Sequence, residues 1–334
     1  MSSRCVAVLG GGRSSEHEVS LASAASVANG LEQAGHRVIR IEIGRDGVWR
    51  RDGAEMLLTP GRGLADADVV FPALHGPFGE DGTIQGVLES LDVAYVGAGV
   101  AASAVCIDKV LFKELMGRAG LPQVDYRMTT ATRFGEDRQN VLDQLTELGL
   151  PVFVKPARLG SSVGIARVAE AGDLGAALED AFRHDPLAIV EACATGLEVE
   201  CSVIGNGSPL ASQPGEITLV AGGADDWYDY AAKYTPGLME LIAPARISGA
   251  ASDRVRELAV DVFLRSGCTG LARVDFFVDG DRVLVNELNT MPGFTETSVF
   301  AELFAASGVP FDELVDRLVE LAVERHEAGR AHTH

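Results

Sequence analysis

Residues 5–43 have the sequence CVAVLGGGRSSEHEVSLASAASVANGLEQAGHRVIRIEI, and this stretch indicates the fold class of the chain. The apolar run 5–9 predicts a strand, the glycines that follow predict a turn, and 16–33 predicts a helix that ends near Gly35. A second apolar run predicts a strand over 38–43. A strand, a glycine turn, a helix and another strand in this order are typical of an α/β fold with a parallel sheet.

The alternation of strands and helices continues along the chain and predicts three domains, over 1–109, 110–193 and 194–334. Further helices are predicted over 83–91, 109–119, 139–148, 173–183 and 250–265, and further strands over 68–74, 93–96, 151–156, 165–168, 187–193, 197–205, 270–279 and 281–289. The last two strands are joined by Asp279-Gly280-Asp281, which predicts a hairpin because glycine readily adopts positive φ.

Composition excludes several classes of protein. The 334 residues are 47% apolar, which supports real cores, and 28 basic against 48 acidic residues give a net charge of -20. Such a surface repels nucleic acid and anionic lipid, so a phosphate site requires a local basic pocket and the few lysines become informative. The short apolar run at the amino terminus favours neither a secretory signal nor a membrane span, and we interpret the protein as cytoplasmic. Five scattered cysteines without a CxxC pair predict buried thiols rather than disulfides or a zinc site.

The hairpin places four polar residues on one face of two apolar strands. Arg273 and Asp275 alternate on the first strand, and Glu287 and Asn289 alternate on the second. Burying acidic groups here is costly unless they are paired or bind a cation, and their oxygen donors suit Mg²⁺. The alternative is a structural ion pair of Arg273 with Asp275 or Glu287.

Lys155 ends the apolar strand PVFV and precedes the loop ARLGSSVG, whose backbone N–H groups can surround phosphates. The alternative for this residue is an ordinary solvated lysine. The chain has no GxxxxGK[ST] motif, and the first glycine turn lacks the GxGxxG spacing, which disfavours P-loop and dinucleotide sites.

Five motifs, in order and spanning nearly the whole chain, resemble those of the D-alanine:D-alanine ligases, which are ATP-grasp enzymes. The motifs are GGRSSEHEVS (11–20), ALHGPFGEDGTIQG (73–86), VKPARLGSSVG (154–164), YDYAAKY (228–234) and NELNTMPGF (286–294). The resemblance implies an ATP-grasp fold with an N-terminal Rossmann-like domain. It also implies a homodimer without nucleic-acid or membrane partners.

The reaction that the resemblance implies joins two D-alanines for peptidoglycan precursors. ATP phosphorylates the carboxylate of the first D-alanine, and the amine of the second attacks the acyl phosphate. The resemblance implies two Mg²⁺ ions as cofactors, for which Mn²⁺ can substitute, and this agrees with the dependence of phosphoryl transfer on charge neutralisation. A requirement for K⁺ is left open.

Residue roles also follow from the resemblance. It implies metal binding by Asp275, Glu287 and Asn289. It implies ATP binding by Lys109, Lys155, Ser161, Ser162, Glu191, Glu198 and Lys233. It implies that Glu16 binds the ammonium of the first D-alanine, that Arg273 and the Gly293 N–H bind the oxyanion, and that His75 and Ser298 lie at the second substrate.

Ser161 and Tyr234 are expected to belong to the catalytic group, with Tyr234 closing a lid over 222–237 that excludes water. Tyr234 favours D-alanine over D-lactate as second substrate.

Several of these residues have structural alternatives. Glu16 could simply cap its helix, although Ser14 or Ser15 with Glu18 resembles a capping box and leaves Glu16 for the ligand. Glu191 could be a solvated strand end.

Departures from the family pattern keep a second ligase activity open. They are Leu159, Ala231, the stretch 235–244 and the missing proline after Ser298. The alternative product is D-alanyl-D-lactate, D-alanyl-D-serine or another dipeptide. A nucleotide-binding regulator without chemistry is disfavoured because the phosphate and metal residues are intact.

Overall fold

The computed structural model describes residues 3–160, 163–219 and 239–332. The elements of its first part are β1 (Cys5–Gly11), α1 (His17–Gln33), β2 (Arg37–Ile43), β3 (Trp49–Arg51), β4 (Ala54–Glu55), β5 (Val69–Pro72), α2 (Thr83–Leu91), β6 (Ala94–Tyr95) and α3 (Val100–Ile107). The sheet order is β4-β3-β2-β1-β5-β6. The strands β2, β1, β5 and β6 are parallel, so the loops after β1 and β5 leave the same edge of the sheet.

The second sheet is antiparallel and has the order β7-β10-β8-β9. Its part of the chain contains α4 (Lys109–Arg118), β7 (Tyr126–Thr130), α5 (Ala131–Glu136), α6 (Arg138–Thr146), β8 (Val152–Pro156), β9 (Ala166–Val168), α7 (Leu174–Ala181) and β10 (Leu187–Ala192). Helix α4 begins at Lys109, where the Asp108 side chain accepts hydrogen bonds from the backbone N–H groups of Val110 and Leu111.

The third sheet has the order β14-β13-β11-β15-β16, with β12 paired to β11. Its part of the chain contains β11 (Leu197–Gly205), β12 (Leu210–Ala211), β13 (Gly215–Leu219), β14 (Met239–Ile242), α8 (Gly249–Arg265), β15 (Gly270–Asp279), β16 (Arg282–Asn289), α9 (Val299–Ala306) and α10 (Phe311–Arg330). Each of the three sheets falls within one predicted domain range. The domain boundaries themselves stay a prediction.

The first and third parts share one hydrophobic core. Phe71 on β5 packs edge-on against Phe294, with ring centroids 5.3 Å apart, and Leu318 of α10 belongs to the same cluster. A buried contact between His36 Nε2 and Asp316 Oδ1, at 2.9 Å, joins the two parts as well. This core fixes the segment after β16 against the loops of the first sheet, where the candidate site lies.

Most predicted elements are confirmed with small shifts at their ends, and the hairpin turn has Gly280 at φ +60°. The pattern does not predict ten of the described elements, which are β3, β4, α3, β7, α5, β12, β13, β14, α9 and α10. The prediction of buried thiols is wrong for Cys193, which is exposed, whereas the other four cysteines are buried. Among the helices of the described ranges, none combines the length and apolar composition that crossing a membrane requires.

Candidate active site

The β15–β16 hairpin brings its four polar residues together as predicted. Arg273 pairs with Asn289 and Asp275 with Glu287, and a bulge follows Asp275. Arg273 donates to both carboxylate oxygens of Asp275, from Nε at 2.7 Å and from Nη2 at 2.8 Å. Asn289 Nδ2 donates to Asp275 Oδ2 at 3.0 Å. The structural ion pair that we considered as an alternative is therefore present, with Asp275 as the partner.

A second carboxylate also holds Arg273. Glu200 lies on the neighbouring strand β11, is 4% exposed, and places Oε2 2.9 Å from Arg273 Nε. The sequence analysis missed this residue, although Glu198 and Glu200 alternate on β11 and so share a face. Two carboxylates thus lie against the guanidinium, Asp275 through two hydrogen bonds and Glu200 through an ionic contact.

The nucleotide side of the site begins with Lys109. Its Nζ donates to the backbone carbonyl of Leu159 at 2.9 Å and lies 3.5 Å from Glu287 Oε2. Lys109 thereby joins the hairpin to the segment that follows β8.

Glu191 on β10 lies between two ammonium groups. Its Oε2 is 2.5 Å from Lys155 Nζ, and its Oε1 is 3.0 Å from Lys113 Nζ. Burial alone would raise the pKa of Glu191, but Lys113 and Lys155 outweigh it and lower the pKa to about 2. Burial would likewise lower the pKa of Lys155, yet Glu191 and Glu287 raise it above its ordinary value. The solvated alternatives for Glu191 and Lys155 are therefore wrong.

The amino-acid side is built from the loops after β1 and β5, which face each other as predicted. Ser14 Oγ donates to the His75 carbonyl at 2.7 Å. The two loops line a pocket of about 280 Å³, with Gly12, Arg13, Trp49, His75, Phe78 and Val87 among its lining residues.

Both ring nitrogens of His75 have partners. Nδ1 lies 2.9 Å from the Met291 carbonyl, and Nε2 lies 2.8 Å from Ser23 Oγ. Burial lowers the pKa of His75, and because a carbonyl can only accept, the neutral ring donates from Nδ1. Ser23 Oγ also accepts from the Phe294 N–H at 3.2 Å. His75 therefore holds the segment after β16 in place.

Glu80 holds the same segment from the other side. Its Oε1 accepts from the Gly76 N–H at 2.7 Å, and its Oε2 accepts from the Met291 N–H at 3.4 Å. Burial and the nearby Glu16 carboxylate raise the pKa of Glu80 to about 8. With His75 on the carbonyl and Glu80 on the N–H, both backbone polar groups of Met291 are contacted.

Glu16 is buried just before α1, and its carboxylate lies against Gly76, where an added Cβ would come within 2.2 Å of Glu16 Oε2. The capping-box interpretation is wrong. Glu18 is exposed and pairs with Arg45 at 3.0 Å, while Glu16 itself is the N-cap residue and makes no side-chain capping bond.

Gly293 and Ser298 are neighbours at the start of α9. Ser298 is the N-cap residue, and its Oγ accepts from the Thr295 N–H at 2.9 Å. A Cβ at position 293 would lie 3.4 Å from Ser298 Oγ. The fold thus places both residues beside the segment that His75 and Glu80 hold.

Two regions of the chain match known protein families. Residues 115–320 match the family described as "D-ala D-ala ligase C-terminus", and residues 5–65 and 56–98 match "D-ala D-ala ligase N-terminus". The chain belongs to the D-alanine–D-alanine ligase family. It is 42% identical to the "D-alanine--D-alanine ligase" of Geobacillus kaustophilus (strain HTA426), over 98% of this chain and 97% of that protein. It is 43% identical to the same-named protein of Deinococcus radiodurans, over 96% and 99% of the two chains.

A solved structure supports the ATP-grasp fold of this ligase family. The "VanG D-Ala:D-Ser Ligase from Enterococcus faecalis" superposes with a TM-score of 0.85 at 33% identity, covering 96% of this chain and 100% of that one. The family resemblance and the fold class expected from the sequence are thereby confirmed.

The residues expected to bind metal in this ligase family offer two carboxylates and one amide. In the described ranges, no group of three or more His, Cys, Asp or Glu residues could hold a metal ion, so Asn289 has to supply a donor to the set. Its Nδ2 is turned toward Asp275, which leaves Oδ1 on the opposite side of the amide. Hard oxygen donors on paired strands fit Mg²⁺.

Four expected ligase residues, Ser161, Ser162, Lys233 and Tyr234, lie outside the described residues, as does the predicted lid over 222–237. Glu198, which is also expected to bind ATP, lies near the start of β11. Besides Glu200, the sequence analysis missed Ser23, Glu80 and Lys113. The one signal for Lys113 is its position four residues after Lys109 on the same helix face.

Proposed function

We propose that this chain is an ATP-dependent ligase that joins two D-alanines through a D-alanyl phosphate. The observation that carries the proposal is the junction at Met291. His75 contacts the carbonyl of Met291 and Glu80 contacts its N–H, and Met291 lies two residues after Asn289 and two residues before Gly293. The residues proposed for phosphate chemistry and those proposed for amino-acid binding therefore meet at one point.

In the first step, a carboxylate oxygen of the first D-alanine attacks the γ-phosphorus of ATP, and ADP leaves. Lys109 and Lys155 supply positive charge to the phosphates, and Glu191 and Glu198 lie on the nucleotide side. Two Mg²⁺ ions, held by Asp275, Glu287 and Asn289, neutralise phosphate charge when bound. Glu16 binds the ammonium of this D-alanine from its buried position.

In the second step, the neutral amine of the second D-alanine attacks the acyl carbon. A C–N bond forms, the C–O bond to phosphate breaks, and the proton lost by the amine ends on the released phosphate. Arg273 and the Gly293 N–H stabilise the negative oxygen of the tetrahedral intermediate. Ser298 binds the carboxylate of the second substrate. Because both nitrogens of His75 are engaged, we assign it to positioning rather than to removal of the proton.

The test is phosphate release from MgATP with D-alanine alone, with D-alanine plus D-lactate or D-serine, and with L-alanine as control. Products are identified by mass. We expect turnover and dipeptide with D-alanine alone and none with L-alanine. Turnover that requires D-lactate or D-serine would retain the mechanism and replace the product, and no turnover with any acid would reject the proposal.

Further parts of the proposal depend on family membership. They are a cytoplasmic homodimer, Mn²⁺ in place of Mg²⁺, and Tyr234 as the residue that favours D-alanine over D-lactate. Replacing Tyr234 by Phe is expected to raise D-alanyl-D-lactate formation. An unchanged product ratio would contradict that assignment.

A further inference from the structure

Lys113 is a fully buried lysine to which the proposed reaction assigns no role. It lies on α4, is 1% exposed, and places its ammonium 3.0 Å from Glu191 Oε1. The other oxygen of Glu191 is 2.5 Å from Lys155. In the described part of the chain, Glu191 is the ionic partner of Lys113, and the ring of Tyr126 lies 5.8 Å from the ammonium. A buried ammonium is costly without a counter-ion, so Lys113 requires Glu191.

Lysine is also rare in this protein. Among 28 basic residues only four are lysine, namely Lys109, Lys113, Lys155 and Lys233. The proposed function assigns Lys109 and Lys155 to the phosphates of ATP, and the family resemblance implies ATP binding by Lys233. The fourth is Lys113, which shares its carboxylate partner with one of those three. Lys113 therefore belongs to the nucleotide side through its contact with Glu191.

The three charges of this cluster do not cancel. Two ammonium groups and one carboxylate leave one positive charge, and the two lysines differ in exposure. The side chain of Lys113 is 1% exposed, whereas that of Lys155 is 12% exposed. The fields of Glu287 and Glu198 act on Lys155 and raise its pKa further. Of the two lysines that contact Glu191, Lys155 is therefore the outer one, and its charge lies on the side of the hairpin.

We propose that Lys113 is a positioning residue that neutralises Glu191 from inside the protein, so that the charge of Lys155 is available to the phosphates of ATP. This inference rests on the proposed function, because it takes Lys155 as a nucleotide contact. Without Lys113, Glu191 and Lys155 would form a neutral pair. The site would then attract the ATP polyanion less strongly. The net charge of -20 on the protein would repel ATP, so the loss of local positive charge would weaken binding.

The test compares Lys113→Met with the double variant Lys113→Met/Glu191→Gln. The single variant makes the cluster neutral, and the double variant restores one positive charge on Lys155. We expect the KM for ATP to rise about tenfold in the single variant while the KM for D-alanine stays within about twofold. We expect the double variant to recover part of the loss, because glutamine at position 191 removes the negative charge but keeps an oxygen acceptor for the nucleotide. The dissociation constant of MgADP, measured by calorimetry, should follow the same order.

A matched control is Arg4→Met, which changes the net charge by the same unit and removes an ion pair, that of Arg4 with Glu320 at 2.9 Å. It should leave the KM for ATP unchanged. A KM for ATP that stays constant in Lys113→Met, or a double variant no better than the single one, would overturn the inference. A wild-type protein without ligase activity would reject the proposed function instead.

Lys113→Arg provides a second test if Lys113→Met does not fold. It keeps the positive charge in a larger side chain, so the charge role predicts a KM for ATP within about threefold of wild type even where the melting temperature falls. A tenfold rise in a folded Lys113→Arg protein would contradict the charge role.

Discussion

The nucleotide side and the amino-acid side of this site are held by different kinds of contact. On the nucleotide side, the ammonium groups of Lys113 and Lys155 bind the carboxylate of Glu191. On the amino-acid side, His75 and Glu80 bind backbone groups. An ionic cluster sets the local charge, whereas contacts to backbone set the position of a segment. Substitutions on the two sides should therefore affect different substrates.

The hairpin lies between the two sides, and Arg273 on it should give the largest effect. In Arg273→Lys the positive charge remains, but the two parallel bonds to Asp275 and the fixed orientation toward the oxyanion are lost. We expect kcat to fall about 100-fold or more, with smaller changes in both KM values. Steady-state kinetics of purified protein measure this.

Arg282→Lys, on the exposed start of β16, is the control and should retain wild-type kcat. A fall in kcat of less than about threefold in Arg273→Lys would remove Arg273 from the proposed oxyanion contact.

Glu80 should give stability a pH dependence between pH 4.5 and 8, a range in which the lowered pKa of Glu191 and the raised pKa of Lys155 produce none. Its pKa is raised from 4.5 to about 8 in the folded protein. The native state therefore holds this proton more tightly, and the resulting stability is complete below pH 4.5 and is lost as the pH rises through 8. Relative to wild type, Glu80→Gln should gain roughly 2 to 4 kcal/mol in free energy of unfolding between pH 4.5 and 8. Urea unfolding of both proteins across this range measures the difference, and parallel curves would show that Glu80 does not titrate as described.

Glu80→Gln should also separate the two substrates in kinetics. Glutamine retains one oxygen acceptor, but its NH₂ faces a backbone N–H, either that of Gly76 or that of Met291. We expect kcat/KM for D-alanine to fall about tenfold while the KM for ATP stays within about twofold. This is the reverse of the pattern for Lys113→Met. Equal losses for both substrates would mean that the two sides are not distinct.

The elements of the fold that could be predicted are those with a strong local signal. Gly280 marks the hairpin turn, and the apolar run 5–9 marks β1, which extends two residues further to Gly11. Strand β7, with the sequence YRMTT, could not be predicted because an edge strand that is exposed on much of its length carries little apolar pattern. Helix α3 consists mostly of small and β-branched residues without a polar face, which hides its period.

The candidate site, like the fold, could be predicted from the sequence only in part. That Arg273 shares a face with Asp275, and Glu287 with Asn289, follows from spacing alone, since side chains alternate along strands. The pairing of Asp275 with Glu287 depends on the bulge after Asp275, because the register of the turn continued without it would pair Asp275 with Asn286. Burial of Lys113 and the contact of Glu80 with Met291 depend on how distant segments pack. A lysine on a helix is most often exposed, so local pattern favours the wrong environment for Lys113.

Glu18 should give the smallest effect and tests a local rule against the tertiary contact. A capping box would make Glu18 worth about 1 kcal/mol at the start of α1, because it would satisfy an otherwise free backbone N–H. In the structure Glu18 is instead exposed and pairs with Arg45, a contact of the kind that contributes little in water. Glu18→Gln should therefore change the free energy of unfolding by less than about 0.5 kcal/mol and leave both KM values unchanged. A loss near 1 kcal/mol would restore the capping role to Glu18, and a change in the KM for D-alanine would extend the amino-acid side beyond Glu16 to the surface of α1.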